Sequence, residues 1–307
     1  MLDDMDKSIL EELEFNSRQS NAKIAKKLGT NKAFVKYRID RLQKNGIITD
    51  FSYTANQVIL GKLSFCVLMQ FKDISYPEEE KLISEIRKVK NVQWIHSVTG
   101  EWDVIISIIE KNIFSFMEAL NKIFVLGKMH VRKYHFYVEH EGWIKTHEYL
   151  YSNPKKSIVR YGLGEEVLLN ELEQSVYDIL KKEPQISLLD IAKKLDKSYD
   201  TIKSKHNYLL SKKILLRCVS KIDIIKLGYK DFLCLFNLSP DAESIDSFII
   251  QCRDHPNIIR YAKTLGHFNM ILTIQAKNLI EFKKIMGIFK KKFSGIIISS
   301  EVIPLTS

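Results

Sequence analysis

Val35, Ile39 and Leu42 are spaced by four and three, the spacing of one helical face. If that face is buried, the helical wheel turns Lys32, Ala33, Lys36, Tyr37 and Asp40 outward, with Asn31 and Lys32 at the helix N-terminus. Lys36 suits a phosphate or a guanine edge, and Tyr37 a phosphate or a thymine methyl. Arg38 and Arg41 flank the face and are expected to clamp DNA backbone. A solvated bundle helix could look the same. The short Gly29 turn before this helix and the alternating segment after it favour the DNA reading. A second such face is weaker. Tyr199, Asp200, Lys203, Ser204 and Asn207 would point outward, with one cation where the first face has two. His206 stands in the core position of Ile39, where a satisfied internal hydrogen bond is expected. The second face therefore stays open between DNA contact and a structural role. No Gly-rich phosphate loop, metal-spaced His/Cys set or Ser/His/Asp arrangement occurs, so no catalytic residue, metal or cofactor is expected.

The two faces recur because the chain is written twice. Ile24-Ala25-Lys26-Lys27-Leu28 returns as Ile191-Ala192-Lys193-Lys194-Leu195. The same offset carries Leu2, Asp6, Leu13, Val35, Leu42, Ile47 and Gly61 onto Leu169, Glu173, Leu180, Ile202, Leu209, Ile214 and Gly228. Each copy opens with three helices. In the first, Ser20 caps the second helix, Gly29 stops it, and Asn45-Gly46 ends the third. Ile47 to Ile59 then alternates like a wing or short hairpin. From Leu63 to Val138 the periods predict strand, helix, strand, strand, helix, strand, the ferredoxin-like order. His140 to about Gly164 lacks periodicity and reads as a connector. The cycle restarts at Asn170, with Pro184 closing a helix and Ser187 capping the next.

The predicted fold is α+β, two winged helix-turn-helix domains alternating with two ferredoxin-like domains. The expected boundaries are 1–60, 61–140, a linker 141–166, then 167–228 and 229–307. At 307 residues there is room for several cores. No apolar run is long enough for a membrane span. The acidic start Met1-Leu2-Asp3-Asp4 does not read as a secretory leader. Cys66, Cys218, Cys234 and Cys252 have no paired spacing and read as free buried thiols, so a reducing, cytoplasmic setting is expected. The net charge of +10 favours polyanionic partners, while Lys290-Lys291-Lys292 reads as a solvated face.

Leu2-Asp3-Asp4-Met5-Asp6, Ile9-Leu10, Asn16-Ser17-Arg18, Ile24-Ala25, Val35, Arg38-Ile39, Leu42 and Gly46-Ile47-Ile48 together resemble the N-terminal domain of the Lrp/AsnC (feast/famine) transcriptional regulators. The mixed segment, with Val98-Thr99-Gly100-Glu101-Trp102-Asp103, is similar to that family's regulator-of-amino-acid-metabolism (RAM) domain. The resemblance implies a sequence-specific regulator of double-stranded DNA, assembled through its mixed domains, with an amino acid or related small effector bound near that turn. Usual members carry one copy. Two copies imply an intramolecular pseudo-dimer, open to further homo-oligomerisation. Thr99, Gly100, Glu101 and Asp103 are the candidate effector residues, the two acids receiving an ammonium group. A plain connection needing Gly100 for positive φ reads equally well. Gly266-His267-Phe268-Asn269 carries no acid. Two alternatives stay open. His255, His267-Phe268-Asn269 and Leu272-Thr273 resemble a siroheme-decarboxylase branch of the same plan, though its arginine-rich wing is missing after Ile47 and Ile214. A protein-interaction scaffold without DNA binding is the other.

Overall fold

The computed structural model describes residues 2–305. The first copy runs α1 (Asp4–Asn16), α2 (Asn21–Lys27), α3 (Lys32–Lys44) and β1 (Ile48–Ala55), then β2 (Leu63–Phe71), α4 (Tyr76–Ile86), β3 (Val92–Ser97), β4 (Val104–Glu110), α5 (Ile113–Gly127) and β5 (Val131–Lys145). A short strand, β6 (Ile158–Tyr161), lies in the connector. The second copy runs α6 (Glu171–Lys182), α7 (Leu188–Leu195), α8 (Tyr199–Ser211) and β7 (Leu215–Ile222). It ends with β8 (Lys230–Leu238), α9 (Ala242–Asp254), β9 (Ile258–Gly266), β10 (Met270–Ala276), α10 (Leu279–Lys292) and β11 (Ile297–Pro304).

The repeat extends to the helix starts. Asp3, Ser20 and Asn31 cap α1, α2 and α3 through side-chain oxygens, and Asn170, Ser187 and Ser198 cap α6, α7 and α8 in the same way. Each cap satisfies an amide that has no partner within the helix, which is why these residue types return at one offset.

The chain forms two compact units, 2–60 with 144–229 and 61–143 with 230–305. The first unit holds both three-helix heads. Contrary to a self-contained hairpin after Ile47, β1 is a single strand, and its partner is β7 of the other head. The two run antiparallel, with Phe51 opposite Ser220 and Tyr53 opposite Cys218. A lone strand leaves a row of amides and carbonyls unpaired, and the second copy supplies the missing edge. The cores interlock as well. Tyr53 and Ile59 are buried in the core of the second head, and Ile222 packs on that of the first. The Arg18 guanidinium donates to the carbonyls of Pro184 (2.5 Å) and Ile186 (2.8 Å), and Ser17 N–H donates to Cys218 O (2.9 Å).

The connector is ordered against α1. The buried Glu14 carboxylate accepts from the Tyr151 hydroxyl (2.5 Å) and pairs with His147, and Glu12 pairs with Lys27 and Lys155.

The second unit holds two ferredoxin-like halves, with strand orders β5-β2-β4-β3 and β11-β8-β10-β9 and with β9 beside β5. Val98 bridges Leu305. β2 is apolar without alternation because both of its faces are covered. Phe65, Val67 and Met69 face α4 and α5, whereas Cys66 and Leu68 join a core shared with Leu233, Leu235 and Ile271 of the other half.

Candidate nucleic-acid interface

α3 buries Val35, Ile39 and Leu42 and leaves Lys32, Lys36, Tyr37 and Asp40 exposed, with Tyr37 61 % accessible. Asn31 is exposed, but its Oδ1 accepts from Phe34 N–H (2.8 Å) as the helix cap. Both arginines are ion-paired to α1 and its cap. Arg38 Nη1 pairs with Asp3 and with Asp6 (3.1 Å), and Arg41 Nη2 donates to Asp6 (2.5 Å). Asp6 is buried under them, and the Arg38 guanidinium lies 4.7 Å from the Phe34 ring centre. The bond from Arg38 holds the Asp3 carboxyl below its ordinary value. These pairs fix the roll of α3 on α1, so the lysine face has a defined direction.

The second head repeats the device with different residues. Glu173 takes the place of Asp6 and Lys205 that of Arg38, at 3.0 Å. Burial opposes charge on Glu173, but the Lys205 bond and the Asn170 amide still hold its pKa below normal. This pairing escaped the sequence reading, although its signal was present: Asp6 and Glu173 are both acidic at the shared offset. On α8, Tyr199, Asp200, Lys203, Ser204 and Asn207 are exposed, with Lys203 Nζ 6.0 Å from the Tyr199 ring centre. His206 is half-buried and lies 3.0 Å from the Tyr53 hydroxyl. Desolvation, aided by the Arg18 charge, lowers its pKa to about 4.

Two turns distinguish the heads. Gly29 (φ +65°) and Gly46 (φ +66°) close α2 and α3, and their counterparts Asp196 (φ +50°) and Lys213 (φ +56°) hold the same left-handed backbone with side chains. Glycine adopts this region without the Cβ clash that L side chains meet.

In the second unit, the acids of the expected effector turn already have partners. Asp103 Oδ2 accepts from Phe71 N–H (2.6 Å), at the end of β2. In the other half Asn269 Oδ1 accepts from Leu238 N–H (2.9 Å), and its amide donates to Leu238 O (2.7 Å). The two residues do one structural job, and the missing second acid is explained by an amide that serves as well. Glu101 is exposed and bonds Lys133 Nζ (2.6 Å), which lies 4.8 Å from the centre of the buried Trp102 ring. Thr99 and Gly100 are exposed, Gly100 at φ +127°. His135 and His267, both exposed, have ring centres 6.1 Å apart. His255 instead turns its ring toward Phe289 and accepts from Asn257 N–H. The four cysteines are buried, and the described residues contain no His/Cys/Asp/Glu cluster suited to a metal ion. No described helix is long and apolar enough to cross a membrane.

Two three-helix heads with outward polar third helices, joined by a strand ribbon, define a winged helix-turn-helix protein. The family described as winged helix-turn-helix DNA-binding matches residues 2–49. An HTH-type transcriptional regulator of Pyrococcus furiosus is 37% identical over 110 residues, which are 35% of this chain and 73% of that protein. The HTH-type transcriptional regulator LysM of Saccharolobus solfataricus is 30% identical over 123 residues, 40% of this chain and 83% of its own. The chain belongs to the Lrp/AsnC-type family of helix-turn-helix transcriptional regulators. Across its whole length the fold is similar to that of the siroheme decarboxylase NirDL, with a TM-score of 0.66 and 13% identity over 99% of this chain and 91% of that one. The duplicated plan is thus a known fold.

Proposed function

We propose that the protein is a sequence-specific, DNA-binding transcriptional regulator whose two heads act as one unequal pair. The observation that carries this is the exposed Lys32, Lys36 and Tyr37 face of α3, fixed on α1 by the Asp6 pairs with Arg38 and Arg41. Lys36 and Tyr37 read base edges or thymine methyls, while Asn31 and Lys32 approach the phosphates beside the helix N-terminus. Arg38 acts by orienting α3. Arg41 is partly exposed and keeps further N–H donors for a phosphate. Tyr199 and Lys203 make the fewer contacts of the second head. Unequal heads in one chain require an asymmetric operator, because operator symmetry mirrors protein symmetry.

The test is a salt titration of binding to the protein's own promoter fragment and to a scrambled fragment of equal length. Each phosphate contact contributes about −0.9 to the slope of log affinity against log salt. A Lys36→Ala/Tyr37→Ala variant should lose the preference for the promoter, and Lys203→Ala should lose less. Equal binding of both fragments by the wild type would refute the reading.

The same proposal places an amino-acid-type effector at the Thr99–Gly100–Glu101 turn, its ammonium displacing Lys133 from Glu101, with Asp103 supporting the turn from behind. A second reading, chemistry on a siroheme-type tetrapyrrole, is favoured by the exposed pair His135 and His267. A Soret band that persists through gel filtration after mixing with siroheme would support it.

A further inference from the structure

We propose that the outer face of α5 binds α5 of a second copy of this chain, antiparallel about a twofold axis. α5 buries Phe116, Ala119, Leu120 and Ile123, yet its opposite face is also apolar. Phe114 is 78 % exposed, Val125 73 % and Met129, just beyond the helix, 77 %, with Ile113, Met117 and Leu126 beside them. Exposed apolar patches of this kind on a protein surface mark an interaction site.

The arrangement of the strip names its occupant. Ile113, Phe114 and Met117 lie at one end, and Val125, Leu126 and Met129 at the other. Between them stand exposed Glu118, Asn121 and Lys122, and no ion pair joins Glu118 to Lys122 among the described residues. A twofold contact must be self-complementary. An antiparallel pairing centred at the level of Leu120 sets each apolar end on the other copy's opposite end. It also sets Glu118 against Lys122 of the second copy, twice over.

The other half of the chain shows what the same helix looks like without such a partner. α5 and α10 align from their caps, Asn112 and Asn278, and their buried positions coincide: Phe116, Ala119, Leu120 and Ile123 match Phe282, Ile285, Met286 and Phe289. On the outer face Met117, Glu118, Val125 and Leu126 are replaced by Lys283, Lys284, Lys291 and Lys292. Those lysines repel a like surface, so only α5 pairs and the assembly closes at two chains.

One helix pair falls below the usual size of a tight interface, so the association is weak. Full-length protein should be examined by sedimentation equilibrium up to about 0.1 mM, a range that reports micromolar affinities. The wild type should reach twice the chain mass. Met117→Lys/Val125→Lys, which installs the residues of α10, should remain a monomer with unchanged circular dichroism. Glu118→Lys should weaken the dimer about tenfold, and adding Lys122→Glu should restore it. If the lysine variant misfolds, the charge exchange decides alone. A monomeric wild type, growth beyond two chains, or a dimer indifferent to the charge exchange would overturn the proposal.

Discussion

The Tyr53 hydroxyl of one head lies 3.0 Å from His206 Nε2 of the other, so a strand of the first copy is hydrogen-bonded to α8, the third helix of the second. Burial lowers the His206 pKa from 6.5 to about 4. The unfolded chain therefore binds the extra proton first. The stability held by neutral His206 is complete above about pH 6.5 and is lost as pH falls toward 4. Denaturant unfolding at pH 7.5, 6 and 5 should show this decline. It should be shallower in His206→Leu/Tyr53→Phe, which removes the imidazole without orphaning the hydroxyl. Equal slopes for both proteins would contradict the assignment.

Asp6→Asn should release Arg41 from α1 and leave Arg38 held only through Asp3. Asp6 is buried while Arg41 is partly exposed, so the variant should be less stable than the wild type, but by less than a fully buried pair would cost. Promoter preference should fall with it, because α3 loses its fixed roll. A variant as stable as the wild type, measured by urea midpoint, would show that the ion pairs are surface decoration.

Lys213→Gly should stabilise the protein. The left-handed backbone at this site is strained for lysine and free for glycine, as at Gly46 in the other head. The gain should be about 0.5–1 kcal/mol after the greater freedom of unfolded glycine is subtracted. A lower melting temperature would mean that the Lys213 side chain contributes more than its backbone strain costs.

Asp103→Asn should cost under about 1 kcal/mol, because an amide oxygen already fills this role at position 269, whereas Asp103→Ala should cost about 1–3 kcal/mol by orphaning Phe71 N–H. Free amino acids that shift the melting curve of the wild type should shift that of Asp103→Asn equally, while Glu101→Gln should abolish the shift. Loss of the shift in Asp103→Asn would return Asp103 to the effector site.

Much of this was legible along the chain. Capping residues and apolar spacing are local signals, so the helices ending at Gly29 and Gly46 and the strand Leu63–Phe71 could be read directly. The outward placement of Lys36 and Tyr37 followed from one helical wheel. What was not legible depends on distant partners. Nothing in the alternation after Ile47 says that the strand pairs with Leu215–Ile222, since period two marks a strand but not its neighbour. The same holds for the ion pairs of Arg38 and Arg41, whose partner Asp6 lies on another helix. The bond from Phe71 N–H to Asp103 was equally hidden, because a carboxylate bound to a backbone amide has the same letter as a free one.

The ribbon of β1 and β7 has a further consequence. When two identical chains form such a pair, every substitution alters both heads together, so a change tolerable in only one of them is rejected. Here each head has its own codons. The second carries Asp196 and Lys213 where the first has Gly29 and Gly46, and one outward cation, Lys203, where the first has Lys32 and Lys36. Writing both heads into one chain lets each change one residue at a time while the β1–β7 pair holds them together.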